Sequence, residues 1–110
     1  MEQLTSEDVQ KRVIGNPKPI FIFFYSNESE SSLENLADAE KWVSEFPNVL
    51  FFKADITDSG DQLRKNYSVS EVPATLLIVS GNSTGLFSNA NGFSEQDMVD
   101  IKQTIIDYAP

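Results

Sequence analysis

The sequence has no cysteine and no histidine. Without cysteine there can be no disulfide, no thiolate nucleophile and no thiolate metal ligand in this chain. Without histidine, a Ser–His triad, imidazole acid–base catalysis and the usual zinc sites are excluded as well. Positive charge is also scarce: 8 Lys and Arg stand against 17 Asp and Glu, a net charge of −9. Nucleic acid and anionic membranes are held by basic surface, so neither is an expected partner. No apolar run approaches the roughly 18–20 residues needed to span a bilayer. The polar start Met1-Glu2-Gln3-Leu4 has neither the basic nor the apolar stretch of a secretory leader. That favours the cytoplasm, with the endoplasmic reticulum lumen open if a leader has been removed.

What is present reads as one domain over residues 1–110. This length can bury a core without disulfide or metal staples. Thr5 or Ser6 is placed to cap a first helix running through Ile14, and Gly15-Asn16-Pro17 stops it. Pro19 to Tyr25 is a continuous β-branched and aromatic run, as in a strand covered on both faces. After the polar stretch Ser26 to Ser32, a helix is expected to about Phe46. Leu33, Leu36, Ala37, Val43 and Phe46 lie close to helical spacing, with Trp42 beside them. Val49 to Ala54 forms a second strand, and Asp58-Ser59-Gly60 leads into a short helix through Tyr67. Val72-Pro73 precedes a third strand, Ala74 to Val79. A turn at Gly81-Asn82 sends Thr84 to Asn89 back as an edge strand. Ser94 caps a last helix with Met98, Ile101, Ile105 and Tyr108 as its apolar stripe, widened by Val99 and Ile106.

The predicted order is α-β-α-β-α-β-β-α. A right-handed crossover makes the first pair of strands parallel, and a hairpin closed by a helix makes the second half antiparallel. The fold class is therefore α/β, with a central mixed sheet flanked by helices.

That order, with a proline directly before a strand, resembles the thioredoxin family over nearly the full length. Ile20 to Ser26 is similar to the strand that leads into the family's active site. Tyr67-Ser-Val-Ser-Glu-Val-Pro-Ala-Thr through Gly81 is similar to the segment around its cis-proline. Gly92 matches a glycine before its last helix. The resemblance implies the thioredoxin fold, a cis bond before Pro73, and a Cys-x-x-Cys motif at the positions of Ser29-Glu30-Ser31-Ser32.

The departures gather on that apparatus. Ser29 and Ser32 stand at the two cysteine positions, Phe23 at the buried acid and Glu28 at the active-site tryptophan. Ser31 replaces the proline within the motif, and Ala37 the helix-kinking proline a turn later. A hydroxyl lacks the acidity and the sulfur chemistry of thiol–disulfide exchange. The expected function is a redox-inactive thioredoxin-like module for protein interaction, chaperone-like or scaffolding, needing no cofactor and no metal. The alternative is a thiol-disulfide oxidoreductase, thioredoxin-like or protein disulfide isomerase-like, in which Ser29 and Ser32 replace native cysteines. A third is a structural domain of a larger assembly.

The resemblance also implies a groove for a protein or extended peptide, lined by Tyr25, Glu28, Ser29, Glu30, Ser32, Glu71, Val72 and Pro73. Its carboxylates suit a basic segment, although carboxylates at a helix start are also explained by the helix dipole. Asp55-x-Thr57-x-Ser59-Gly60 begins like a calcium loop, but Asn66 stands where the bidentate Glu belongs. A polar loop capping the next helix is the simpler reading. Three Asn-x-Ser/Thr triplets, at Asn27, Asn66 and Asn82, read as chance.

Overall fold

The structure is a computed structural model, and it describes residues 1–58 and 62–109, apart from the side chain of Gln10. Ser59 and Gly60 of the predicted loop lie outside the described residues. Strand β1 (Glu2–Gln3) opens the chain. Helix α1 (Ser6–Asp8) follows and widens into a π-wound turn over Val9–Val13. Then come β2 (Ile20–Tyr25), α2 (Glu30–Glu40) with a 3-10 extension over Lys41–Ser44, and β3 (Leu50–Asp55). The short α3 (Gln62–Asn66), β4 (Ala74–Val79), β5 (Asn82–Ser88) and α4 (Glu95–Tyr108) complete it.

One five-stranded sheet has the order β1-β3-β2-β4-β5. β3 runs parallel to both β1 and β2, while β4 is antiparallel to β2 and β5. Every residue of β2 is buried, as its unbroken apolar run requires at the centre of a sheet covered on both faces. Its side chains alternate. Ile20, Ile22 and Phe24 enter a core with Val9, Val13, Phe52 and Leu63 on one face. Phe21, Phe23 and Tyr25 enter a second core with Leu36, Trp42, Ile101 and Ile105 on the other.

Four local expectations are corrected. The N-terminus adds a strand, β1, which pairs Glu2 with Phe52 and Gln3 with Lys53. Two polar, exposed residues carry no alternating signal, and the strand is held by backbone pairing together with the Arg12–Glu2 and Tyr25–Gln3 side-chain contacts. The buried stripe of α2 and its extension is Ser32, Leu36, Ala39 and Trp42, leaving Leu33, Ala37 and Val43 exposed. The phase is set from Ser32, a polar residue that no hydrophobic count would choose. In α4 only Ile101 and Ile105 are fully buried. Val99, Ile106 and Tyr108 are more than half exposed, because one sheet face covers only a narrow helix stripe. The hairpin turns on Ser80 and Gly81, both at positive φ (52° and 81°), so β5 starts at Asn82. This two-residue turn fits the strand twist, and glycine adopts its second position without strain.

Candidate functional site

Phe24 lies opposite Ala74 in the antiparallel register, so the chain leaving β2 and the chain entering β4 meet at one end of the sheet. The loop before α4 joins them. Gly92, at φ +95°, sits so close to α2 that a Cβ there would lie 2.9 Å from the Cβ of Ser31. Asn35 fastens this contact. Its Oδ1 accepts from the Phe93 N–H at 2.8 Å, and its Nδ2 donates to the Phe93 carbonyl at 3.2 Å. Asn35 gave no sequence signal, since a half-buried Asn in a helix reads as surface.

At this end, Ser29 is the N-cap of α2, and its Oγ accepts from the Ser32 N–H at 3.2 Å. Ser32 is fully buried. Its Oγ accepts from the Ser26 N–H at 3.1 Å and shares its one proton between the carbonyls of Ser29 (2.9 Å) and Ser26 (3.2 Å). The two serines thus close the turn into α2 with hydrogen bonds suited to hydroxyls. Beside them Asp55 organises the loop. Its Oδ1 accepts from the Thr57 N–H and hydroxyl at 2.9 and 2.5 Å, and its Oδ2 from Asn27 Nδ2 at 2.8 Å. Both carboxylate oxygens that could have begun a calcium loop are engaged by protein donors. Among the described residues, no three acidic side chains gather as a metal site.

Beneath the start of α2, Phe23 is fully buried and meets Phe93 edge-on, ring centroids 6.3 Å apart. This space is lined by apolar side chains. The Val72–Pro73 peptide bond is cis, Pro73 is buried, and its carbonyl accepts from the Asn89 N–H at 3.2 Å. Among the described residues, the N–H and C=O of Val72 have no hydrogen-bond partner.

This arrangement matches solved structures over nearly its full length. A thioredoxin from Fasciola hepatica superposes with a TM-score of 0.80, at 23% identity, covering 98% of this chain and 99% of that one. The chain has the thioredoxin fold. Mitochondrial thioredoxin 3 from Saccharomyces cerevisiae (oxidized form) gives 0.79 at 21% identity, over 97% of this chain and 94% of that one. The germline-specific Drosophila thioredoxin Deadhead gives 0.75 at 18% identity, over 96% and 98%. No family model and no curated protein matches the sequence. On this thioredoxin fold there is no cysteine, and so no thiol–disulfide site.

The predicted site residues divide. Ser29, Ser32, Glu28 and Glu30 are neighbours at the α2 start, and Glu71, Val72 and Pro73 enter β4 at the same sheet end. Glu28 and Glu30 are exposed, while Glu71 and Val72 are half-buried. Tyr25 is placed elsewhere: its ring is in the α2/α4 core, and its hydroxyl donates to Gln3 Oε1 on β1 at 2.9 Å. Its pKa is raised by burial first, then by the carboxylates of Asp55 and Glu40, against the Gln3 hydrogen bond. Ser32 faces inward and offers no surface. The exposed rim is acidic: there is no Lys or Arg between Lys18 and Lys41, nor between Lys65 and Lys102.

Proposed function

We propose that this chain is a non-enzymatic interaction module on the thioredoxin fold, binding an extended, basic segment of a partner protein at the Val72–Pro73 end. The observation that carries this reading is the backbone N–H and C=O of Val72, without a partner among the described residues, next to Glu71 and at the same sheet end as Glu28 and Glu30, where there is no cysteine. An extended segment laid along Val72 satisfies both groups, as strand addition does elsewhere. The acidic rim then selects Lys or Arg over Asp or Glu by charge.

The oxidoreductase alternative needs more than two restored thiols. A buried acid for proton transfer has no counterpart where Phe23 packs on Phe93, and this apolar contact supports the binding reading.

Backbone amide NMR tests it. The labelled chain is titrated with a blocked peptide that alternates lysine with valine and threonine. Shifts at the Val72 amide and its neighbours Glu71 and Ala74, absent with glutamate in place of lysine, are the expected result. Unmoved Val72 and Glu71 amides at millimolar peptide refute the reading.

A further inference from the structure

The two edges of the sheet differ in kind. β1 is two residues long, and Glu2 on it is paired with Arg12. A short, charged edge is a common protection against strand pairing. β5 is seven residues long, and no residue between Glu71 and Glu95 carries a charge. It has no proline, and Leu86 on it is 57% exposed.

The register fixes which backbone groups are open. Asn89 donates to the Pro73 carbonyl, so residues 73 and 89 form a hydrogen-bonded pair. Such pairs alternate along an antiparallel ladder. Phe87 opposite Thr75 and Gly85 opposite Leu77 therefore turn their N–H and C=O toward β4. Leu86 and Ser88 turn theirs outward, away from the sheet.

Helix α4 gives this edge its charge. Thr104 overlies β5, its Cγ2 only 3.0 Å from where a Cβ on Gly85 would lie. Asp100 and Asp107, four residues before and three after Thr104, share that helix face. Both are exposed. Their Oδ1 atoms accept from Gln96 and Gln103, and among the described residues neither has an ion-pair partner. The open strand is thus neutral in its backbone row and acidic along its helix side.

We propose that the outer edge of β5 accepts an added strand from a partner protein, an extended segment with Lys or Arg at alternate positions facing α4. The backbone groups of Leu86 and Ser88 supply the pairing, and Asp100 and Asp107 select the basic side chains. A second copy of this chain fits poorly, because a two-fold pairing of β5 edges brings two such aspartate rows onto the same sheet face. This surface is the outer edge of β5; Ser88 lies opposite Ala74 near the Val72 end, so the Leu86 amide and the aspartate variants distinguish the two sites.

The same peptide titration reads it. The amides of Leu86 and Ser88 are expected to shift and to gain protection from hydrogen exchange. Alternate N-methylation of the peptide keeps its charge but removes the paired N–H groups, and is expected to weaken this binding about tenfold or more. Replacing Asp100→Asn and Asp107→Asn together is expected to weaken it several-fold and to flatten its salt dependence. Three results would each overturn the proposal: no shift at Leu86 and Ser88, equal binding of the N-methylated peptide, or shifts at these amides on raising protein concentration alone. The N-methylated peptide keeps the test free of any folding defect in a protein variant.

Discussion

Ser32→Ala separates a serine that merely fills its position from one that the local structure requires. The hydroxyl is fully buried and makes three contacts. The carbonyls of Ser26 and Ser29 each keep another donor after its removal, the N–H groups of Ser29 and Leu33. The Ser26 N–H keeps none. Leaving one buried donor unsatisfied costs about 1–3 kcal/mol, and the better helix propensity of Ala returns about 0.5 kcal/mol. A net loss of about 0.5–2.5 kcal/mol follows, which for a domain of this size lowers Tm by about 2–10 °C. Thermal unfolding followed by far-UV circular dichroism measures it, with Ser29→Ala as the half-exposed reference at about 1 kcal/mol for a lost N-cap. Ser32→Cys in reducing buffer is expected to be less stable than the parent chain, since a thiol is a weak donor and larger than the site's oxygen. A Ser32→Ala variant melting within a degree of the parent would refute the hydrogen-bond reasoning.

Two further perturbations probe neighbouring positions. Phe23→Asp places a carboxyl among Phe93 and the α2/α4 core, and is expected to cost about 4 kcal/mol or more at neutral pH; chemical denaturation checks it, and a loss below about 1 kcal/mol contradicts the apolar-core assignment. Because the pKa of Tyr25 is raised in the folded state, the neutral phenol is the form that folding favours. Its contribution is complete below the unfolded value near 10, and declines as pH rises from there through the folded value. The parent chain should therefore lose stability above about pH 10 more steeply than Tyr25→Phe, as followed by urea midpoints across that range. Parallel pH profiles would remove Tyr25 as the cause.

Much of the fold was legible because its strands differ so clearly in pattern. The apolar run of β2 specified a central strand, and Val72-Pro73 before β4 marked the entry to the antiparallel half. The resemblance placed Ser29 and Ser32 at one helix start, where the structure has them. What stayed hidden depends on tertiary contact. β1 is two polar residues held by backbone pairing to β3. The stripe of α2 begins at a buried serine whose partners lie six residues back and three residues back in the chain. Asn35 matters only once Phe93 arrives from the far end of the sequence. The resemblance put Tyr25 at the groove, but its ring packs in the α2/α4 core and its hydroxyl reaches Gln3 on β1, away from β4.

Placing thiols at positions 29 and 32 addresses most directly whether this end of the molecule is a binding surface rather than a redox centre. The variant carrying Ser29→Cys and Ser32→Cys, shown to be folded by its melting curve, is assayed for insulin disulfide reduction beside an active thioredoxin. With Phe23 packed where an acid would be needed, turnover no better than that of a free dithiol is expected. Reduction at a rate approaching the active enzyme would contradict the account and identify the chain as an oxidoreductase lacking its cysteines.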